Sequence, residues 1–475
     1  MIYSFDIFDT LITRKTAVPE GIFAIMQSEL KREEYADIPL SIRNNFYQLR
    51  IMAERLARHT YQNNEIEDVT LEQIYEALAI RGELSEAQIK QLVSLECAIE
   101  YQECIAIEKN VAQVKKLLAD RKTVILISDM YLPKEQISRM LEKADPILTK
   151  LQLYVSGDCK KRKRTGAIYE FAMEQSKFTG TECIHTGDNE KLDVAVPKRM
   201  GICSQLSWFP ALLPIEKELL DRTPSNVWLN RIIGCGRRTR LVLGKEMTQN
   251  EAVLLGSSIG AILLVSYLQW VIKSALLKGI KRLYFCVYDA YVLKRIADIL
   301  IRRTGEAIET YYICIDSHSE ETPTFEDIAF YREKVKSLKE VDTTDEKFAF
   351  VDVIGGSYTQ EYMLDITDGF YNSRFRIFYF GLEKLVVNDN CTNFIFYPGR
   401  IYNGSALKAL CGISGNHQCG NYLAGIEMFA EFFCEDGHMM GELEDMEQIS
   451  QILTYITEAS DEFLTGFSCD TRVKF

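Results

Sequence analysis

The chain begins with a short apolar run that ends in two carboxylates, and no other feature constrains its fold as strongly. Ile2–Phe5 has the apolar, aromatic composition of a buried strand, and Asp6 and Asp9 follow where that strand must end. A carboxylate at the C-terminal edge of a parallel strand can act as a nucleophile or bind a hard cation. The alternative is a strand followed by an ordinary polar turn, and this stretch alone does not separate the two.

Three later stretches also join an apolar or basic run to side chains that can do chemistry. They are residues 124–128 ending in Ser128, residues 160–164 containing Lys163, and residues 183–193 containing Asp188 and Asp193. Strand and helix patterns alternate from 123 to 208, which predicts a parallel, doubly wound sheet. The sequence therefore predicts an α/β protein with a Rossmann-like core, whose strand ends bring these side chains to one edge.

The stretches SFDIFDTL, TVILISD, KKRKRTGAIYEF and IHTGDNEKLD resemble, in that order, the four motifs of the haloacid dehalogenase superfamily. The resemblance implies a nucleophile at Asp6 and a hydroxyl at Ser128 that binds the transferring phosphoryl group. It also implies that Lys163 neutralises the nucleophile and the phosphate. Each residue read alone has a structural alternative, namely a helix cap for Ser128 and a solvated charge run for Lys163.

Phosphoryl transfer to a carboxylate requires a cation, because the ester and the aspartate repel each other. Oxygen ligands from Asp6 and Asp188 suit Mg²⁺. The resemblance adds the backbone carbonyl of Phe8 as a ligand and places Asp193 in the outer coordination sphere. We therefore predict a magnesium site at this edge of the sheet.

The first motif departs from the superfamily pattern at one position. Phosphatases of the superfamily usually carry a second aspartate two residues after the nucleophile as general acid, and this chain has Phe8 there. Asp9 either reaches the leaving oxygen from a shifted turn or only caps the loop. Dehalogenases of the superfamily also lack that aspartate, so hydrolysis at carbon remains an alternative.

Residues 15–121 have mainly helical periodicity and are predicted to form a cap inserted into a first domain at 1–210. The helix starts include two predicted capping boxes, Thr70 with Gln73 and Ser85 with Gln88. In the superfamily such a cap closes over the site, excludes water and selects the substrate. Arg50 and Glu54 lie four residues apart on one helix and are predicted to form a solvent-exposed ion pair, with a substrate-facing position as the alternative.

The second half of the chain also alternates strand and helix, and predicts a second α/β domain at 226–475 after a linker at 211–225. The predicted strands are 282–287, 309–315, 348–353, 376–380 and 394–397. Candidate site residues accompany two of them. Asp289 follows the first strand, and Asp352 with Gln360 accompanies the third.

Longer stretches resemble the two-domain hydrolases of bacterial surface-polysaccharide gene clusters, which join a phosphatase to a phosphoribosyltransferase-like domain. These stretches are SFDIFDTLITR, LECAIEYQE, ISDMYLPKE, LYFCVYDAYVLKRIAD and FVDVIGGSYTQ. The resemblance implies that phosphoribosyl pyrophosphate gives a 5-phosphoribosyl unit to a glycan and that the 5-phosphate is then removed. The family's Arg-Asp-Gly is here Tyr288, Asp289 and Ala290, so a phosphate-clamping arginine is lost. The transferase site is therefore either degenerate or built for a different donor.

Composition limits the partners of the chain. A formal net charge of −13 disfavours general nucleic-acid binding, so that a phosphorylated substrate must be met by a local basic cluster.

Thirteen cysteines without a CxxC pair predict reduced thiols in the cytoplasm. The five histidines have no metal-ligand spacing, and His185 is expected to be a packed strand residue. The uncharged segment 252–272 contains Gly, Ser and Gln, which favours a buried helix over a membrane span. Peripheral membrane association stays open.

These observations predict a magnesium-dependent phosphohydrolase that removes phosphate from a sugar phosphate. The second resemblance implies a 5-phosphoribosyl group on a polysaccharide intermediate as the substrate. Two alternatives belong to other classes: a bifunctional ribofuranosyl transferase and phosphatase, and a non-catalytic scaffold of polysaccharide assembly.

Overall fold

The computed structural model describes residues 1–82, 84–313, 347–355, 376–382, 391–396 and 417–436. The chain divides into two compact units, Met1–Leu241 and Val242–Phe475. The range 211–225, predicted as a linker, contains the helix Pro214–Arg222. Residues 226–241, predicted to belong to the second domain, group with the first unit.

A five-stranded parallel sheet forms the centre of the first unit. In chain order the strands of this unit are β1 (Ile2–Phe5), β2 (Ile12–Arg14), β3 (Cys104–Ala106), β4 (Thr123–Ser128), β5 (Gln152–Val155), β6 (Cys183–Gly187) and β7 (Cys203–Leu206). The sheet has the order β5-β4-β1-β6-β7, with β1 in the middle. This is the predicted doubly wound arrangement, and its order reverses beside β1. Such folds bind ligands in the crevice outside the carboxyl ends of the strands at that reversal.

Both faces of this sheet are buried. Along β4, Val124 and Leu126 join one apolar cluster, whereas Ile125 and Ile127 join another, because successive strand side chains point to opposite faces. Burial of both faces explains why the strands of this parallel sheet have continuous apolar runs. The helices that follow the insertion in this unit are Glu108–Ala119, Lys134–Ala144, Ser156–Cys159, Ala167–Ser176, Val196–Arg199, Pro214–Arg222 and Val227–Met247.

A helical insertion leaves and re-enters the first unit through a two-stranded ribbon. Strands β2 and β3 pair antiparallel, and just beyond them the N–H of Lys15 donates to the carbonyl of Glu103 at 2.8 Å. The helices between them are Gly21–Glu29, Leu40–Tyr61, Leu71–Gly82 and Glu86–Glu103. The helix Glu108–Ala119 falls in the range predicted for the cap, yet it follows the ribbon and packs on β4.

Two side-chain features of the insertion test sequence expectations. Both capping boxes are confirmed, since in each pair the backbone N–H of either residue donates to the side-chain oxygen of the other. The distances are 3.0 and 3.3 Å for Thr70 with Gln73, and 2.9 and 3.3 Å for Ser85 with Gln88.

Arg50 is not the solvent-exposed residue that its spacing from Glu54 predicted. Its side chain is fully buried and donates twice to Glu96, at 2.8 Å from both Nε and Nη2. The guanidinium lies 4.5 Å from the ring centroid of Phe23, and Tyr75 donates its hydroxyl to Glu96 at 2.7 Å. The predicted ion pair with Glu54 is present, with Arg50 Nη1 3.3 Å from Glu54 Oε2, but the predicted solvent exposure was wrong because the main partner, Glu96, lies on another helix. Full burial also argues against a substrate-facing role.

The second unit contains another five-stranded parallel sheet, and all five predicted strands are present. They are β8 (Arg282–Cys286), β9 (Glu309–Ile313), β10 (Phe348–Gly355), β11 (Arg376–Leu382) and β12 (Cys391–Phe396). The order is β12-β11-β10-β8-β9, so that the reversal lies between β8 and β10. The described helices of this unit are Glu251–Gly256, Ile259–Leu277, Val287–Thr304 and His417–Glu435.

One apolar stretch, Glu251–Leu277, has the length and hydropathy of a membrane-spanning helix. In the structure 89% of its most apolar window is buried, and the stretch is divided into two helices at Ser257 and Ser258. Burial of this kind is typical of a core helix.

Candidate active site

Three predicted site residues lie at the C-terminal edge of the first sheet, on adjacent strands. Asp6 directly follows Phe5, the last residue of β1, and its N–H donates to the carbonyl of Thr186 at 2.8 Å. Ser128 is the last residue of β4 and is buried. Asp188 comes directly after β6. Because β4, β1 and β6 are neighbours, these side chains belong to the edge where the strand order reverses.

Lys163 joins two of the carboxylates. Its Nζ donates to Asp6 Oδ1 and to Asp193 Oδ1, the latter at 2.7 Å, and the lysine is only 2% exposed. The backbone N–H of Lys163 donates to the carboxylate of Asp129 at 2.9 Å. The lysine is therefore held at its backbone and at its ammonium group. Asp6, Lys163, Asp188 and Asp193, which are far apart in sequence, come together as predicted.

Asp193 sits on a π-helical turn, Glu190–Ala195, directly after β6. A Cβ at Gly187 would lie 2.4 Å from the carboxylate carbon of Asp193, so only glycine fits there. The backbone N–H of Asn189 donates to Asp193 Oδ2 at 3.1 Å. π-Helical turns are rare and recur at functional sites, and here the turn brings the Asp193 carboxylate back to the strand end.

His185 and Tyr169 also support Asp193, which the sequence did not predict. His185 is fully buried, as expected for a packed strand residue, and its Nε2 lies 3.1 Å from Asp193 Oδ1. Its Nδ1 lies 2.8 Å from the hydroxyl of Ser4, and the Tyr169 hydroxyl is 3.2 Å from Nε2. The only sequence signal was the position of His185 just before the fourth motif.

Burial and like charges shift the acidity of the cluster. Burial raises the pKa of Asp6 to about 8, with Lys163 opposing the shift and Asp193 and Asp188 adding to it. Burial, with the charges of Asp9 and Asp193, raises the pKa of Asp188 to about 6. For Asp193 burial also acts upward, but Lys163 and the neighbouring imidazole outweigh it and hold its pKa below the usual range. The raised pKa values of Asp6 and Asp188 indicate that the positive charge near the cluster does not offset the burial and mutual repulsion of these carboxylates.

The donor set fits a hard divalent cation. One carboxylate oxygen each from Asp6, Asp188 and Asp193 lie within 4.8 Å of one another, and Lys163 pairs with two of these residues, Asp6 and Asp193. Mg²⁺ prefers oxygen ligands, and a nearby positive charge would lower the raised pKa values of Asp6 and Asp188. Phe8, whose carbonyl is the further predicted ligand, lies in the same turn as Asp6 and forms a bridge with Ile12.

The turn after β1 holds Asp9, the candidate general acid in a chain that has Phe8 at the usual position of that residue. Asp9 has a left-handed backbone with φ of +57°, which aspartate tolerates better than most residues. Thr13 donates its hydroxyl to Asp9 Oδ1 at 2.6 Å, so Asp9 does serve the turn through one oxygen. The ring of Phe8 lies under the guanidinium of Arg14, 4.5 Å from ring centroid to guanidinium carbon. Asp9 as general acid stays a prediction.

The candidate residues of the second unit are placed differently. Asp289 lies in the first turn of the helix Val287–Thr304, directly after β8. Asp352 lies inside β10, is 4% exposed, and its Oδ1 accepts the backbone N–H of Val353 at 2.8 Å. Gln360 lies outside the described residues.

Fold and site together define the first unit as a doubly wound α/β protein with a carboxylate and lysine cluster at the reversal of its strand order. No family model matches the chain, and no curated protein matches it.

Among solved structures, the chain is similar to a HAD family enzyme from Bacteroides thetaiotaomicron in complex with magnesium and inorganic phosphate, at 15% identity and a TM-score of 0.29, over 44% of this chain and 93% of that one. It is also similar to a HAD phosphatase from Thermococcus onnurineus, at 16% identity and a TM-score of 0.30, over 43% and 84%. A 2-haloacid dehalogenase from Pseudomonas syringae pv. Tomato has 15% identity and a TM-score of 0.31, over 45% and 91%.

Proposed function

We propose that the first unit is a magnesium-dependent phosphohydrolase that uses Asp6 as its nucleophile. One observation carries this proposal: Lys163 bonds to Asp6 and Asp193 within a set of three carboxylates at the reversal of the strand order. A buried carboxylate paired with a lysine beside a site for a hard cation is the arrangement that phosphoryl transfer to aspartate requires.

The chemistry follows from the position of each group. Asp6 attacks phosphorus through the oxygen that Lys163 does not hold, and the bond from phosphorus to the ester oxygen breaks. The ammonium of Lys163 balances charge on the nucleophile and the phosphoryl oxygens, and the Ser128 hydroxyl donates to one of those oxygens. The leaving oxygen takes a proton, for which Asp9 is the candidate donor. Water then cleaves the aspartyl phosphate, which regenerates Asp6 and releases phosphate.

Asp6 and Asp188, with the carbonyl of Phe8, would hold Mg²⁺, while Asp193 acts from the outer coordination sphere. The ion, when bound, supplies positive charge that offsets repulsion between the carboxylate and the phosphate. Asp6, Asp188 and Asp193 bring three carboxylates together, and Lys163 pairs with two of them.

For the substrate we propose a sugar phosphate, with a 5-phosphoribosyl group on a polysaccharide intermediate as the specific case. The resemblance to two-domain hydrolases of polysaccharide gene clusters supports it, as does an inserted helical cap of the kind that selects substrates. We further propose a cytoplasmic protein that meets its glycan substrate in solution or at the membrane surface, with phosphoribosyl pyrophosphate as a possible second ligand.

A bifunctional enzyme is the second candidate, because the second sheet has its own reversal of strand order between β8 and β10. Asp352 lies in β10, and Asp289 lies in the first turn of the helix that follows β8. Release of pyrophosphate from phosphoribosyl pyrophosphate, dependent on a glycan acceptor, would distinguish this candidate from a phosphatase alone.

The test is phosphate release by the purified full chain with Mg²⁺ across sugar phosphates and 5-phosphoribosides. Asp6→Asn should abolish it, and Asp37→Asn, at an exposed position, should not. Halide release from 2-haloacids in the same assay would instead support hydrolysis at carbon. If neither phosphate nor halide is released, and calorimetry detects no Mg²⁺ binding that depends on Asp188, the scaffold alternative replaces the enzyme.

A further inference from the structure

Arg237 reaches the first unit's sheet edge from a helix that neither motif resemblance includes. It lies on the helix Val227–Met247, and its Nε donates to the carbonyl of Pro210 at 3.1 Å. Nη1 donates to the carbonyl of Ala17, and the guanidinium carbon lies 4.6 Å from the ring centroid of Phe209. These contacts fix one edge and one face of the guanidinium.

The two segments that hold Arg237 both lead away from the candidate active site. Phe209 and Pro210 follow β7, and the intervening Ser207 donates its N–H to the carbonyl of Gly187, next to Asp188, at 2.7 Å. Ala17 follows β2, which continues the turn that contains Asp9. Arg237 therefore links the segment that follows β7 to the segment that follows β2.

The electrostatics agree with that position. Burial lowers the pKa of Arg237, and the charge of Arg240 adds to this, while the carboxylates of Asp9, Glu216 and Asp188 act to raise it. These two aspartates are thus close enough for their charge to act on the guanidinium.

The guanidinium of Arg237 has N–H groups that its two hydrogen bonds to backbone carbonyls do not use. A guanidinium carries five N–H groups, and the two hydrogen bonds to backbone carbonyls use two of them. Among the described residues no hydrogen bond uses Nη2, and the residue is only half-buried. Planar guanidinium edges suit phosphate and carboxylate groups.

We propose that Arg237 is a specificity-determining residue that binds a second anionic group of the phosphorylated substrate, through Nη2. This inference rests on the proposed phosphatase function, because the first anionic group is the phosphate at Asp6. It names the substrate class more closely as phosphate monoesters whose leaving part carries a further phosphate or a carboxylate.

The experiment compares matched substrate pairs that differ in the second anion. Ribose 1,5-bisphosphate against ribose 5-phosphate tests a phosphate, and 3-phosphoglycerate against glycerol 3-phosphate tests a carboxylate. We expect the wild type to prefer one member that carries the second anionic group, and Arg237→Gln to raise KM for that member by about 10- to 100-fold, the range for a lost charge-assisted hydrogen bond. KM for the other member and kcat for both should change little. Arg237→Lys should retain part of the preference, and Arg222→Gln, which alters an exposed arginine paired with Glu218, should retain all of it.

Binding separates this inference from the phosphatase itself. In Asp6→Asn with Mg²⁺, calorimetry should show tighter binding of the member with the second anionic group, and Asp6→Asn/Arg237→Gln should lose that difference. If the binding difference is present but the wild type releases no phosphate, the inference stands and the phosphatase function fails. A wild type without preference for any second anion overturns the inference without any need for a variant. Equal losses for both members of a pair in a folded Arg237→Gln also overturn it and leave a structural clamp.

Discussion

Among the residues that the structure describes, the two parallel sheets of this protein have five strands each, and they differ in the side chains found where the strand order reverses. In the first unit, Asp6 and Asp188 follow the strands on either side of the reversal, and Lys163 with Asp193 completes a buried charged cluster. In the second unit, Asp352 lies within its strand, and its Oδ1 accepts from the next backbone N–H.

The difference teaches that this architecture provides a place for a site and that chemistry depends on where the side chain sits along the strand. Asp6 directly follows β1 at the edge of the sheet, where its carboxylate pairs with Lys163. Asp352 lies inside β10, and its carboxylate accepts the backbone N–H of the next residue, Val353. We expect the first reversal to carry the hydrolytic activity of the chain.

The largest effect should come from the nucleophile. Asp6→Asn should lower kcat for phosphate release by at least about 10³-fold, because loss of a covalent nucleophile is not compensated by binding groups. Asp352→Asn should leave kcat within about twofold of the wild type, as expected for a residue outside the reacting atoms. Steady-state kinetics with Mg²⁺ measures both. An equal loss of kcat in the two variants would contradict the assignment of the hydrolytic activity to the first unit.

Lysine substitutions in the two units should differ nearly as much. Lys163→Met leaves Asp6 and Asp193 without their buried partner and should destabilise the first unit by about 3–5 kcal/mol. Lys294→Met removes a partly exposed pair with Asp298 on one helix and should cost less than about 1 kcal/mol. Denaturant unfolding without Mg²⁺ gives both values. A small effect at Lys163 would mean that the carboxylates are protonated or rearranged in its absence.

Magnesium should stabilise one sheet and not the other. A ligand at 100 times its Kd stabilises the folded state by about 2.7 kcal/mol. Hydrogen exchange should therefore slow in peptides containing β1 and β6 when Mg²⁺ is added, while peptides containing β8 and β10 should be unaffected. Asp188→Asn should remove the effect, since it takes away a proposed ligand. If Mg²⁺ slowed hydrogen exchange only in the peptides containing β8 and β10, the metal site would lie in the second unit and the proposal would be wrong.

Buried hydrogen bonds provide the smallest contrast. His185→Phe removes a support of Asp193 and should weaken Mg²⁺ binding by about tenfold, the low end for residues that orient metal ligands. Tyr267→Phe removes a buried hydroxyl that donates to the carbonyls of Asp352 and Phe378, at 2.9 and 2.8 Å, and should leave Mg²⁺ affinity unchanged. Calorimetric titration of both variants makes the test, and unchanged affinity in His185→Phe would limit that residue to packing.

Local pattern was enough to predict the strands and the residues at their ends. The apolar runs before Asp6, Ser128 and Asp188 are continuous because both faces of the sheet are buried, and a strand can be recognised from that alone. All five strands of the second unit were predicted from their apolar runs, although some bounds differ. β10 and β11 end two residues beyond their predicted ends, and β12 is Cys391–Phe396 where 394–397 was predicted.

Contacts between distant segments could not be predicted from pattern. Arg50 was assigned to Glu54 because four residues bring side chains together on a helix, yet its closest partner is Glu96 on another helix. The support of Asp193 by His185 and Tyr169 depends on how a helix packs beside β6, which no spacing rule encodes. Arg237 was not predicted as a site residue because it lies outside every motif.

The paired ribbon formed by β2 and β3 makes the cap a module with adjacent ends. The chain departs after Arg14 and returns at Cys104, and hydrogen bonds between those strands close the gap whatever lies between. Lengthening such an excursion costs little, since each doubling of loop length adds only about 0.6 kcal/mol of closure entropy. Evolution or an engineer could therefore exchange the whole cap for another and so change which molecules are admitted, while the catalytic sheet below stays as it is.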